Sequence, residues 1–589
     1  MVDRCWSLGW QQSDVRGAAQ VRIERHTIGE ATVSAVLDDF TNRIGREVHS
    51  MSKAGPVGTY EWGMIAEEFV GYLCAQSARD PALRSPEAKA VLLDAAEAAA
   101  GKVCYAAYYP FESFQVHLNY VNWGLIYERE AGGKRVSISA SDWIESFCLN
   151  VLAGRAERHG EAFHFAREAP QEGAAGQPAV ELINGLMAYV LGDTGDEMQS
   201  SSPSRQERLA AIEAALGRIS EQERAGGEGL TQRPQSVALR ALRALAAGEQ
   251  AVFAEELGVL VTAHHDAAVR GERLEGLLPL LPLTLAALAY RREGWPVPVE
   301  TDYLPHALVS GFETPGPRVG PYGRDRRADA AAQLAAGSVS LDRPGDRHPI
   351  HPDTLAHLKE ETAQALALSQ DEPVSATTWA EAMRDQVLYF QWRVGADGET
   401  TDEQLAHLSL ASRCGAAAFR TARSDGTYDS YYLSAFNWLT AVNLALITGV
   451  RKDLAALVTI EPERLSDGSA YQAHYQAVHD YLRGVDPELA TDRALADLEK
   501  IERWGFFPPP TTLLSQLVEG DEESFNLALL DALEAHRDYY LVADRATDPN
   551  AAVSLPILAL ACHARRRGWN IRVRSPYLPA RILNAAKPL

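Results

Sequence analysis

The stretch from Ile138 to Gly154, ISASDWIESFCLNVLAG, places apolar side chains at Ile144, Phe147, Cys148, Val151 and Leu152. Steps of three and four return to one face of a helix, so the spacing predicts a helix with one buried side. The glycine after it suits a left-handed C-terminal cap. A later stretch, Leu433 to Gly449, LSAFNWLTAVNLALITG, repeats the pattern with Leu439, Val442, Leu446 and Ile447. Trp438 answers Trp143 at a spacing of 438 − 143 = 295.

Two more pairs follow in the same order. LAAGEQAVFAEELGVLVTAH (Leu245 to His264) lies against LVEGDEESFNLALLDALEAH (Leu517 to His536), matching Gly248 with Gly520, Phe253 with Phe525 and His264 with His536 at 525 − 253 = 272. GWPVPVETDYLPHALV, from Gly294, lies against GWNIRVRSPYLPARIL, from Gly568, at 568 − 294 = 274, which pairs Gly294, Trp295, Tyr303 and Pro305 with Gly568, Trp569, Tyr577 and Pro579. Three ordered matches predict an internal duplication. The fall in spacing by 295 − 272 = 23 assigns extra residues to the first copy. The Ser-, Gly- and charge-rich stretch 193–230 is the place for them, read as a loop with a short exposed helix.

The remaining sequence also has helical spacing. SPEAKAVLLDAAEAAAGKVCYAAYY opens with a Ser cap, then Pro and Glu in the first turn. Strand signals are confined to VPVE and IRVRS in the closing phrases. The expected fold is mainly α, two tandem helical domains of related fold with short extended segments near the end of each. The expected boundaries are an N-terminal segment 1–30, a first domain 31–310, a Pro/Gly/Arg-rich linker 311–352 and a second domain 353–589. Within the linker, Arg324, Arg326 and Arg327 read as solvated. Trp143 and Trp438 read as core anchors, and His264 and His536 as helix-end caps or packed core residues. The closing phrase reads as a latch. Gly294 and Gly568 end a helix, Trp295 and Trp569 dock an extended piece, and Pro305 and Pro579 set the direction of the chain beyond.

A chain of 589 residues exceeds one core, and 46% apolar residues mark a folded protein. The net charge of −23 is spread along it, with 28 basic against 41 acidic residues up to Gly311 and 28 against 38 after it. Such a balance argues against direct nucleic-acid or anionic-membrane binding, which need Lys and Arg. Six scattered cysteines without a Cys-x-x-Cys pair point to a reducing compartment. No signal-peptide pattern opens the chain, and Pro279 and Pro282 interrupt its longest apolar run. The expected location is the cytoplasm.

Candidate chemistry is sparse. His159 and His164, like His474 and His479, are five apart, the wrong spacing for a shared helical face. His348 and His351 fall in the expected linker. Neither a phosphate loop nor a nucleophile elbow is visible, and Glu67 with Glu68 reads as a solvated face. No catalytic, cofactor or metal residue is assigned, and no cofactor is expected.

AFNWLTAVNLALITGVRKDLAAL, FPPPTTLLSQLVEGDEESFNLALLDALEAHRDYY and VSLPILALACHARRRGWNIRVRSPYLPARIL together resemble the Immunity 49 family, immunity proteins of bacterial polymorphic-toxin systems. The first copy is similar through SDWIESFCLNVLAGRAER, GEQAVFAEELGVLVTAHH and LLPLTLAALAYRREGWPVPVETDYLPHAL, but has RPQSVAL near the place of FPPPTT. The resemblance implies a mostly helical cytoplasmic protein that binds and neutralises a protein toxin domain without chemistry of its own. An acidic inhibitor suits a basic nuclease, to which charge would steer it. Glu519, Asp521, Glu522 and Glu523 of EGDEESF are then candidate toxin contacts, while AGEQAVF in the first copy carries fewer charges. The alternatives are a scaffold or regulatory helical module, and an enzyme whose site is assembled from scattered residues.

Overall fold

The computed structural model describes residues 21–168, 174–195, 202–271, 273–344, 353–354, 356–360, 363, 374–396, 400–426, 432–461, 464, 468–503 and 506–588. The chain divides into two units, one comprising Met1–Val116 with Leu125–Glu313 and the other His117–Gly124 with Thr314–Leu589. It is mainly helical, as the apolar spacing predicts.

The first unit begins with β1 (Val21–Arg22), α1 (Glu30–Leu37), α2 (Phe40–Ala54), α3 (Thr59–Arg79) and α4 (Pro86–Tyr108). A hairpin of β2 (Phe114–Leu118) and β3 (Trp123–Tyr127), whose residues His117–Gly124 are counted with the other unit, comes next, followed by α5 (Ala140–Leu152), α6 (Gly160–Ala166) and α7 (Pro178–Leu186), which runs on through a π turn to Leu191. Then come α8 (Arg205–Arg224), α9 (Pro234–Ala247), α10 (Gln250–Gly271), α11 (Leu280–Glu293), β4 (Val299–Glu300) and α12 (His306–Ser310). The second unit comprises α13 (Ala328–Ala336), β5 (Val339–Ser340), α14 (Ala376–Ala396), α15 (Asp402–Asp425), α16 (Ala435–Thr448), α17 (Arg451–Val458), α18 (Gln472–Arg483), α19 (Glu488–Arg503), α20 (Thr511–Glu519), α21 (Glu522–Tyr540), α22 (Leu555–Arg566), β6 (Val573–Arg574) and α23 (Ala580–Ala585), and from α14 on its helices follow the order of α3 to α12.

Local chemistry starts these helices at equivalent places. The Ala88, Asp142 and Asn437 N–H groups donate to the hydroxyls of Ser85, Ser139 and Ser434, each of which caps its helix. Trp143 and Trp438 are both fully buried. Their indole N–H groups donate to the carbonyls of Phe163, at 3.0 Å, and Leu457, at 3.1 Å. A cation then covers the end of each Trp helix. Arg291 donates to the carbonyls of Val151 and Leu152, both at 2.9 Å, and Arg566 donates to those of Leu446 and Ile447. Positive charge is favoured at a helix C-terminus, where carbonyls lack intrahelical partners. By length and composition the apolar run Leu274–Glu293 would suffice to cross a membrane, yet 67% of it is buried inside the protein, where α11 forms part of the core.

The described parts of the segments expected to lie outside the domains are built into them. β1 pairs in parallel with β4 in the register Val21↔Val299 and Arg22↔Glu300. β5 pairs in parallel with β6 in the register Val339↔Val573 and Ser340↔Arg574. Each copy therefore opens with a strand that lies beside its own closing phrase. Two-residue strands leave no periodic signal, which hides them from a pattern reading. Within the described part of 311–352, Val319, Ala330, Leu334 and Leu341 join the core of the second unit. Arg318 donates to Asp531 at 2.6 Å and to Glu534 at 2.6 and 3.0 Å, and its backbone N–H donates to Asp531. Replacing Arg318 by alanine leaves two part-buried carboxylates unpaired, and should cost the second unit about 2–3 kcal/mol in a urea titration. A loss below about 0.5 kcal/mol, the value of an exposed ion pair, would place this segment outside the fold.

Nor is 193–230 a stretch with an added exposed helix. Its helix α8 buries Ile212, Ala215 and Ile219, and α19 holds the same place in the second copy. The surplus lies in longer connections and in a helix of 20 residues against 16. A second surplus went unread. The connection between α4 and α5 runs from 109 to 139 and holds the β2–β3 hairpin, whereas its counterpart runs only from 426 to 434.

Candidate interaction surface

The recurring residues meet in space, in the same way in each unit. Gly294 and Gly568 sit at φ 69° and 91°, a conformation that costs glycine little, and end α11 and α22. The chain then turns back, with Trp295 N–H donating to Ala289 and Trp569 N–H to Ala564. Trp295 packs on Phe253 at 5.8 Å between ring centroids, and Trp569 on Phe525 at 5.5 Å. The buried Tyr303 stands edge-on to His264 at 5.3 Å and 88°, and the buried Tyr577 to His536 at 5.2 Å and 84°. The carbonyl of Pro305 accepts from the Leu308 and Val309 N–H groups of α12, and that of Pro579 from the Ile582 and Leu583 N–H groups of α23. Partners outside the repeated motif complete the first latch. His26 Nδ1 lies 2.8 Å from the Tyr303 hydroxyl, and Arg25 donates to Ser77 and to the Asp302 carbonyl.

The two histidines differ in what they touch. His264 Nε2 lies 2.7 Å from the Gly276 carbonyl, and burial lowers its pKa against that hydrogen bond. His536 is packed among Phe507, Tyr540 and Tyr577, and burial pushes it down to about 4, with the Ala551 and Asn550 backbone pulling weakly the other way. Both are held neutral inside a latch, an environment that serves packing rather than proton transfer.

The acidic candidates are largely engaged within the chain. Asp521 caps α21 by accepting from the N–H groups of Glu523 and Ser524, and it also binds Arg326. Burial raises its pKa, but the bonds from Ser524, Arg326 and Glu523 outweigh burial and hold it below the usual carboxylate range. Glu523 lies 3.3 Å from Arg326, and Glu522 accepts from the Asn570 N–H at 3.1 Å. Glu519, the last residue of α20, is exposed. Arg326, expected to be solvated, is thus the internal counter-ion of two of the four. Asp521→Ala should therefore lower the stability of the second unit by about 1 kcal/mol, the value of an N-cap. A denaturant midpoint equal to the parent's would show that the carboxylate is free.

Other groups with reactive potential are also engaged in packing. Cys74, Cys104, Cys148, Cys414 and Cys562 are free and buried, and burial pushes each thiol up to about 12, away from nucleophilic use. His159 meets Glu97 and His164 meets Asp193. His474 bonds Thr511, and His479 bonds the Ile460 carbonyl. Among the described residues no three His, Cys, Asp or Glu side chains are grouped to hold a metal ion, and His348 and His351 lie outside those residues.

What the surface offers a partner is apolar side chains set among charge. In the first unit Tyr60, Phe111 and Ile126 are exposed, and an aromatic stack sets Phe114 on Tyr127 at 4.4 Å and Tyr105 on Tyr109 at 4.5 Å. The stack is fixed from below. Trp62 N–H donates to the Tyr127 hydroxyl at 2.8 Å, and that hydroxyl donates to the Val57 carbonyl. In the second unit Phe436, Val485, Leu489 and Phe506 are exposed. Exposed aromatics on a rigid base are the residue types that anchor protein interfaces.

The family model described as Immunity protein 49 matches residues 76–308 and again 395–582. Both matches open near the end of one long helix, α3 or α14, and close in the short helix after the latch, α12 or α23. No curated protein and no solved structure matches the chain.

Proposed function

Because the chain belongs to the Immunity protein 49 family, as two tandem copies, we propose that it acts in the cytoplasm of the producing cell by binding and neutralising a protein toxin domain. The double family match carries this reading. Its recurring residues have structural roles within each unit, so the mode of action that fits is stoichiometric occlusion of the toxin rather than turnover. The net charge of −23 favours a basic target such as a nuclease, with association that slows as salt rises.

The test uses a candidate toxin domain taken from the genes that flank this chain's own. Titrated against that domain, the chain should abolish toxin activity at a fixed molar ratio and co-elute with it on gel filtration. Inactivation at strongly substoichiometric amounts, with a covalently altered toxin, would replace binding with catalysis. Full toxin activity in excess chain would remove the reading.

A further inference from the structure

The end of α4 is built differently from the ends of the Trp helices. There an arginine covers the last carbonyls, Arg291 on α5 and Arg566 on α16. The last turn of α4 holds no basic residue and carries Tyr105 and Tyr108 instead. The Phe111 and Glu112 N–H groups donate to the Tyr108 carbonyl at 2.7 and 3.0 Å, which keeps both residues at the helix end. Carbonyls at a helix C-terminus carry partial negative charge and favour a cation beside them.

Aromatic faces add to that preference. Tyr105 stacks on Tyr109 at 4.5 Å, Tyr108 lies 5.9 Å from Phe114, and Tyr105 stands edge-on to Phe114 and Tyr127, so the five rings form one connected group. Tyr108, Tyr109 and Phe114 stay partly open to solvent, and Phe111 beside them in the chain is exposed. A ring face attracts a cation within about 6 Å of its centre. Elsewhere this chain uses the contact, with Arg43 over Phe40, Arg292 over Tyr189 and Arg567 over Trp569. Among the described residues no arginine or lysine stands over these five rings.

Carboxylates complete the arrangement. The Tyr109 hydroxyl donates to Glu130, the Tyr108 hydroxyl donates to Glu161 at 3.5 Å, and Glu112 is exposed next to Phe111. The bond to Glu130 is the main cause that pushes Tyr109 up to about 12. Burial raises Tyr105 and Tyr108, and nearby carboxylates act the same way, Glu130 and Glu61 on the first, Glu161 and Glu112 on the second. None of the charges acting on these three tyrosines is positive. Arg129, Lys134 and Arg135 are exposed in the same connection, and Arg135 is paired with Glu168. Among the described residues no cation forms an ion pair with Glu112, Glu130 or Glu161. The arrangement belongs to the first copy, since α15 ends in Arg423, Ser424 and Asp425 where α4 ends in tyrosine.

We propose that the tyrosines at the end of α4, with Glu112, Glu130 and Glu161, take an arginine or lysine side chain presented by the toxin domain. The inference rests on the proposed function and adds the chemistry of the contact. Helix end, ring faces and carboxylates all select positive charge.

Calorimetric titration of the full chain with the candidate toxin domain tests it. Glu112→Gln, Glu130→Gln and Glu161→Gln are combined in one variant, and Glu228→Gln, Glu255→Gln and Asp266→Asn, three exposed acids elsewhere in the first unit, form a control of equal charge. Tyr109→Leu removes a ring face and keeps an apolar side chain. At low salt the first variant should bind about tenfold or more weaker than the parent, and the control less than about threefold weaker. Tyr109→Leu should lose about threefold or more and keep that loss at high salt. Urea midpoints equal to the parent's show that the variants are folded. Parent-like affinity in both site variants, with the toxin still neutralised, would overturn this site and leave the proposed function standing. Equal losses in the site variant and the control would also overturn it, since overall charge alone would then explain the binding. A parent chain that binds no candidate domain would remove the proposed function and this contact together.

Discussion

Replacing Trp438 by alanine is expected to destabilise the second unit by about 3–5 kcal/mol, the cost of emptying a fully buried aromatic site. The side chain has no solvent exposure, lies against His479 at 5.9 Å and donates its N–H to the Leu457 carbonyl. Alanine loses the apolar contacts and the indole hydrogen bond, and leaves the Leu457 carbonyl to backbone donors such as the Ile460 N–H. Trp438→Phe keeps most of the volume and should lose only about 1–3 kcal/mol, which separates the hydrogen bond from the packing. Trp143→Ala is the same experiment in the first copy. There the indole stacks on Phe147 at 4.8 Å and meets Phe163 edge-on at 5.2 Å. Native-state hydrogen exchange reads each unit separately, and each substitution should raise exchange mainly in its own unit. Equal loss of protection in both units from either change would contradict two separately built cores.

Acidification from pH 7 to pH 5 should weaken the second unit by about 4–6 kcal/mol, because buried neutral histidines there must be left uncharged or exposed. Burial lowers His474, His536 and His563 to about 4. In the unfolded chain they titrate at the ordinary value near 6.5, so between pH 6.5 and 4 the unfolded state binds more protons. Stability is complete above about pH 6.5, falls as pH drops through that window and levels off below 4. Each histidine contributes about 2 kcal/mol of the loss by pH 5. His536→Phe, which cannot titrate, should remove its share of the pH dependence while keeping a ring against Tyr577. Urea midpoints at pH 7, 6 and 5 measure this. A second unit equally stable at all three would mean that these imidazoles do not sit neutral in the core.

The sequence made some of this legible, and the reasons are local. The faces of α5 and α16, the serine caps before them and the glycine ends of α11 and α22 follow from a few neighbouring residues. Comparing the copies revealed the latch, because Trp295 with Tyr303 and Trp569 with Tyr577 stand at one spacing. What stayed hidden depends on distant partners. β1 and β5 are two residues long and find β4 and β6 across most of a copy. Arg318 and Arg326 look like linker charges until Asp531, Glu534 and Asp521 are brought beside them. Those pairings also explain why the EGDEESF cluster reads as a free acidic surface in sequence and not in structure. The β2–β3 hairpin is a different case. Phe114, Val116 and Leu118 alternate as a strand should, so a signal was present and the helical reading of the preceding stretch passed over it. Arg566 shows a subtler limit. Counting from the closing glycine pairs Arg291 with Arg565, yet it is Arg566 that covers the end of α16, as Arg291 covers α5. A one-residue difference between the ends of α11 and α22 accounts for this shift.

The most direct test of the central claim is survival. Cells that express a candidate toxin domain from the flanking genes under an inducible promoter should stop growing, and co-expression of this chain should restore growth. Protection should be lost when Trp143→Ala and Trp438→Ala are combined to unfold both copies. Cells that die equally fast with the intact, folded chain present would contradict neutralisation of that toxin by this protein.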